Sequence, residues 1–117
     1  NNVSDNQRAG YIEPVSQNEN VLAIMEYINN NLTSPLDIDT IAKAVHLNRS
    51  YLMHRFKAET GYTVKEYIIE KRLFLAGRLM KNDIPMTEVC YKSGFTNYSS
   101  FYRAYVEKYG QSPKKRV

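Results

Sequence analysis

Two stretches of this 117-residue chain repeat each other, and that repeat limits the fold more than any other feature. Ala42 and Cys90 stand 48 residues apart, each small and each in the middle of a short predicted helix that runs into a turn. Beyond the turn the offset becomes 49, pairing Asn48 with Asn97, Ser50 with Ser99, Leu52 with Phe101, Phe56 with Tyr105 and Gly61 with Gly110. Each unit reads as short helix, tight turn, Asn-capped helix and glycine stop, with one extra residue in the second turn. That order is a helix-turn-helix written twice. The small residue lets the following helix cross closely. That helix buries Leu52 and Phe56 in one copy, Phe101 and Tyr105 in the other.

The rest of the chain supports these units. Residues 1–17 are polar and aperiodic, with Gly10 and Pro14, and read as a linker or tail from a missing N-terminal domain. Ser16 and Glu19 have capping-box spacing before Val21, Ile24, Met25, Ile28 and Leu32, a helical stripe that ends in Asn29–Asn31. The first helix-turn-helix spans about 37–60, with Asp37 as cap, His46–Leu47 as turn and Gly61 as stop. Thr63 opens the longest helix, at about 63–81, striped by Val64, Ile68, Leu75 and Leu79 with Tyr67, Ala76 and Met80 beside them. The second helix-turn-helix spans about 85–109, from Pro85 to the stop at Gly110. Sustained period-two alternation is absent. The expected fold is all-α, with about seven helices and two helix-turn-helix subdomains joined by a long central helix over residues 18–117.

Charge then separates candidate partners. Residues 1–40 carry one base against six acids, whereas residues 41–117 carry fifteen bases against six acids, so the overall +4 conceals a local +9. A basic block holding both units points to a polyanion. No apolar run reaches the ~20 residues of a membrane span. A single cysteine, Cys90, excludes an internal disulfide and a Cys-based zinc cluster, and fits a reducing, cytoplasmic setting. His46 and His54 lack Cys or carboxylate partners at ligand spacing, so neither a metal nor another cofactor is expected. No nucleophile motif is present, and the domain is not expected to be an enzyme. Of the seven aromatics between Tyr91 and Tyr109, the spacing assigns Tyr91, Phe95, Phe101 and Tyr105 to the core and leaves Tyr98 and Tyr102 for the surface.

The outward face of each second helix is rich in groups that reach base edges and phosphates: Arg49, Ser50, Met53 and His54 in the first copy, Tyr98, Ser99, Tyr102 and Arg103 in the second. The chain carries, in order, Ile41-Ala42, Leu47-Asn48, Tyr51-Leu52, Arg55-Phe56-Lys57, Gly61, Arg72-Leu73 with Ala76, Ser93-Gly94-Phe95, Ser100-Phe101-Tyr102-Arg103 and Gly110-Gln111-Ser112-Pro113. Over roughly residues 18–116 it thereby resembles the DNA-binding domain of the AraC/XylS family of bacterial transcription regulators. The resemblance implies a central helix holding two units whose recognition helices enter successive major grooves of double-stranded DNA, regulating transcription, with activation favoured over repression. It places base reading on Arg49, Ser50, Met53, His54, Tyr98, Ser99 and Arg103. Backbone contacts are expected from Asn48, Lys57, Asn97, Ser100, Tyr102 and Lys114. RNA polymerase and an N-terminal effector or dimerisation domain are the implied partners, with this fragment monomeric.

Three positions depart from the family pattern. Cys90 replaces the usual Ala, Tyr105-Val106 replaces Phe-Lys and removes a phosphate contact, and Lys115 replaces the aromatic before Arg116. Arg55 turns away from the reading face, and it and Arg72 are expected to brace the fold or neutralise charge. The competing readings are a helical protein-interaction module, using the acidic first helix or the tyrosine-rich end, and the DNA-addressing domain of a larger enzyme.

Overall fold

The computed structural model describes Tyr11 and residues 13–114. Six α-helices and no strand occur among these residues: α1 (Glu19–Asn30), α2 (Ile38–Ala44), α3 (Arg49–Thr60), α4 (Val64–Leu79), α5 (Met86–Lys92) and α6 (Tyr98–Tyr109). The all-α expectation holds, with six helices among the described residues. No described helix is long and apolar enough to cross a membrane. Two compact units emerge, one of residues 14–68 and one of residues 69–114 with Tyr11 and Glu13; the boundary falls inside α4.

In the first unit, α1 begins two residues later than the Ser16–Glu19 spacing predicts. Asn18 is the cap, accepting from the Val21 amide at 3.1 Å, while the Ser16 hydroxyl accepts from Asn18 N–H. Asn18 is closer to the apolar stripe and wins the amide. Val21, Ile24, Met25 and Ile28 are buried, and Leu32 lies past the helix, half-buried. Ile41 and Ala42 of α2, Leu52 and Phe56 of α3, and Val64, Tyr67 and Ile68 of α4 complete the core. Phe56 meets Tyr67 edge-on at 5.4 Å, and the Tyr67 hydroxyl receives a hydrogen bond from Asn29 at 3.0 Å. A capping box does exist, at the start of α4. The Glu66 amide donates to the Thr63 hydroxyl at 3.0 Å, and the Thr63 amide donates to the Glu66 carboxylate at 2.8 Å.

The second unit buries Leu73, Ala76, Val89, Cys90, Phe95 and Phe101. Phe101 is ringed by Phe95, Tyr98 and Tyr105 at 5.3–5.9 Å. Burial raises the Cys90 thiol's pKa, as suits a small hydrophobe filling the site of the usual Ala. Two expectations are corrected here. Tyr91 is 56% exposed, because the core side of its short helix is taken by Val89 and Cys90. Tyr98 is half-buried against Phe101, and burial raises its hydroxyl's pKa.

Tyr11 is also part of this unit, although its segment reads as a tail. It is 5% exposed, donates to Glu13 at 3.0 Å and lies beneath the Lys108 ammonium; Glu13 pairs with Lys71 at 3.0 Å and Lys108 with Glu70 at 2.7 Å.

The repeat holds down to individual hydrogen bonds. After α2, His46 N–H reaches Lys43 C=O and Leu47 N–H reaches Ala42 C=O; after α5, Gly94 N–H reaches Tyr91 C=O and Phe95 N–H reaches Cys90 C=O. Both are Schellman endings, which place the residue after the helix cap in the left-handed region. His46 has φ of 59° and Gly94 of 105°. The offset is 48 through Leu47 and Phe95, so the added residue of the second turn is Thr96, between the Schellman ending and the next helix cap.

Candidate nucleic-acid interface

Each recognition-helix candidate begins at an asparagine in extended conformation. Asn48 Oδ1 accepts from the Ser50 and Tyr51 amides at 2.8 and 3.2 Å, and Asn97 Oδ1 accepts from Ser100 N–H at 2.8 Å. Each helix ends at a left-handed glycine, Gly61 with φ of 81° and Gly110 with φ of 74°. Between these ends one face carries the buried anchors and the other faces water.

On α3, Asn48, Arg49, Ser50, Met53, His54, Lys57 and Ala58 line one open concavity of about 750 Å³. The four first-copy base-reading candidates thus share a surface with two of the expected backbone contacts. Their polar groups are already oriented. Arg49 pairs with Asp39 of α2 at 3.1 Å, both side chains well exposed. Lys57 Nζ donates to the Gly61 carbonyl at 2.9 Å and so finishes its own helix. His54 Nδ1 lies 2.9 Å from the Ser50 carbonyl and 3.5 Å from the Ser50 hydroxyl. Met53 is 43% exposed. Arg55 is turned off this face, 3.6 Å from Glu59 and over the Tyr51 ring, as its helical phase predicts. The Tyr51 hydroxyl accepts from Asn20 at 3.2 Å, which lowers its pKa.

On α6, Ser99, Tyr102 and Arg103 are exposed. Among the described residues no carboxylate pairs with Arg103. Ser100 is half-buried and its amide serves the Asn97 cap, while Tyr98 packs against the core. The face is therefore narrower than its sequence pattern implies. Arg72, expected as a brace, is half-buried, and burial lowers its pKa. Tyr105, at a departure from the family pattern, stacks against Tyr109 at 4.6 Å. Lys114 is exposed; Lys115 and Arg116, and most of the expected linker over residues 1–17, lie outside the described residues.

Sequence reasoning missed the contacts that orient these side chains. Arg49–Asp39 joins two helices of a unit whose geometry the spacing does not give. Lys57–Gly61 and His54–Ser50 are separated by four residues, the helical neighbour spacing, and could have been anticipated.

Residues 41–116 match the model of a helix-turn-helix domain family. Among curated proteins, an uncharacterized HTH-type transcriptional regulator from the cgkA 5′ region of Pseudoalteromonas carrageenovora is 37% identical over 78% of this chain and 54% of its own length. The regulatory protein SoxS of Salmonella typhimurium is 27% identical over 85% of this chain and 94% of its own. The chain spans about a third to a half of the length of the first three curated relatives it matches. Among solved structures, the DNA-binding domain of AdpA, a global transcriptional factor crystallised with a target DNA, superposes with a TM-score of 0.76 at 23% identity, covering 82% of this chain and 87% of that one. That likeness establishes a shared fold.

Proposed function

Because the chain belongs to the helix-turn-helix domain family of AraC/XylS type, we propose that it binds double-stranded DNA sequence-specifically and regulates transcription, each unit offering one recognition helix to a major groove. The observation that carries this reading is the duplicated unit. In each copy an Asn-capped helix holds its apolar side in the core and presents a polar face outward, within a stretch bearing fifteen of the sixteen bases. Arg49, Ser50, Met53, His54, Ser99 and Arg103 read base edges, and Tyr98 contributes only its exposed rim. Asn48, Lys57, Asn97, Ser100, Tyr102 and Lys114 meet phosphates, the capping asparagines through their side-chain amide nitrogens. Arg49 exchanges Asp39 for a phosphate or base at little cost, since an exposed pair contributes about 0–1 kcal/mol.

In this role the chain is a DNA-addressing module without catalysis of its own, active in the bacterial cytoplasm as a monomeric fragment. Activation through RNA polymerase, and control by an effector or dimerisation domain, belong to a longer protein such as the relatives that exceed this chain in length. SoxS supports a regulator built almost entirely from this domain, because the chain covers nearly all of it.

Selection of bound duplexes from a random pool tests the proposal. It predicts an enriched site with two conserved blocks. A pool that stays random after repeated rounds contradicts it.

A further inference from the structure

We infer that His54 is a hydrogen-bond acceptor toward the groove, and that the first recognition helix selects a base with an outward amino group, adenine or cytosine, at the position it faces. The inference rests on the DNA-binding reading above and specifies the chemistry of one of its contacts.

The imidazole has two nitrogens, and in the neutral ring one donates and the other accepts. His54 Nδ1 lies 2.9 Å from the Ser50 main-chain oxygen, which can only accept, so Nδ1 carries the hydrogen. The Ser50 hydroxyl, at 3.5 Å, is too distant to compete with that contact. The opposite nitrogen, Nε2, is then the acceptor. His54 lines the concavity shared with Asn48, Arg49, Ser50 and Met53, and its Nε2 makes no hydrogen bond among the described residues. Neither nearby cation bonds to His54: Arg49 donates to Asp39 and Lys57 to the Gly61 carbonyl in the free chain.

A major groove offers donors only at adenine N6 and cytosine N4; guanine O6 and N7 and thymine O4 accept. An acceptor at Nε2 pairs with the first two and opposes the others. Had the ring been held through Nε2, with Nδ1 turned outward as donor, the preference would be reversed. A four-residue contact along one helix thus sets which bases the side chain accepts.

The test is random-pool selection with the wild-type chain, His54→Ala and His54→Arg, in a mildly alkaline buffer. Wild type should enrich adenine or cytosine roughly ten-fold over guanine or thymine at one position. His54→Ala should erase that preference and leave the rest of the site intact. His54→Arg, which only donates, should move it to guanine. Guanine or thymine at the position that His54→Ala erases, or an unchanged site in His54→Ala, overturns the inference while leaving the DNA-binding reading in place. Failure of the wild type to enrich any sequence removes that reading itself, and the inference with it. Circular dichroism of the variants should match wild type, because His54 is exposed and outside the core.

Discussion

A guanidinium with no carboxylate beside it is available to a base edge in a way that a paired one is not, which sets Arg103 apart from Arg49 with its Asp39 partner. Arg103→Ala should cost about 1–3 kcal/mol at one base pair and relax selectivity there. Competition binding against singly substituted duplexes measures this, and an equal loss across all sequences would assign Arg103 to phosphate alone. Asp37 makes a different residue-level expectation. The Thr40 amide donates to its carboxylate at 2.8 Å and holds its pKa below the ordinary carboxylate value. With the folded value depressed, its contribution is complete above the unfolded pKa and is lost as pH falls through the folded one. Asp37→Asn should therefore flatten part of the acid limb of a melting-temperature profile, whereas coincident profiles would contradict that role. Asp37, Asn48 and Asn97 were legible as caps because capping is a bond to an amide two or three residues along the chain. The burial of Tyr11 was not legible. The Lys108 ammonium over its ring comes from far away in sequence, and no local pattern marks a tyrosine in a polar segment as core.

At the scale of elements, the two copies solve one problem with different residues. The Schellman ending needs a left-handed residue between the helices; the second copy uses Gly94 and the first uses His46, which carries a Cβ. His46→Gly should relieve that strain and leave stability unchanged or raised by up to about 1 kcal/mol. Chemical denaturation reads this, and a loss above that size would show that the imidazole makes a contact worth more than the strain. The repeat was visible because capping residues, glycine stops and buried anchors recur at a fixed offset. Where the reading of elements slipped, two local signals competed. Ser16–Glu19 and Thr63–Glu66 have the same spacing, but Asn18 intervenes before α1 and nothing comparable precedes α4. Tyr91 fits an aromatic periodicity, yet α5 has room for only Val89 and Cys90 on its core side.

At the scale of the whole molecule, a basic stretch folded as two helix-turn-helix units is proposed to meet a polyanion and read it. The electrostatic part predicts a steep salt response. With several lysines and arginines of the basic stretch neutralising phosphates, log K should fall against log salt with a slope several-fold steeper than about −1, and a flat titration would leave no place for phosphates. The reading part requires that contact be confined to particular faces. The direct measurement is backbone amide chemical-shift mapping of the chain titrated with its selected duplex. Shifts should concentrate on Asn48–Lys57 and Asn97–Arg103. Shifts confined to α1 or to the surface around Tyr91, with α3 and α6 unmoved, would contradict it.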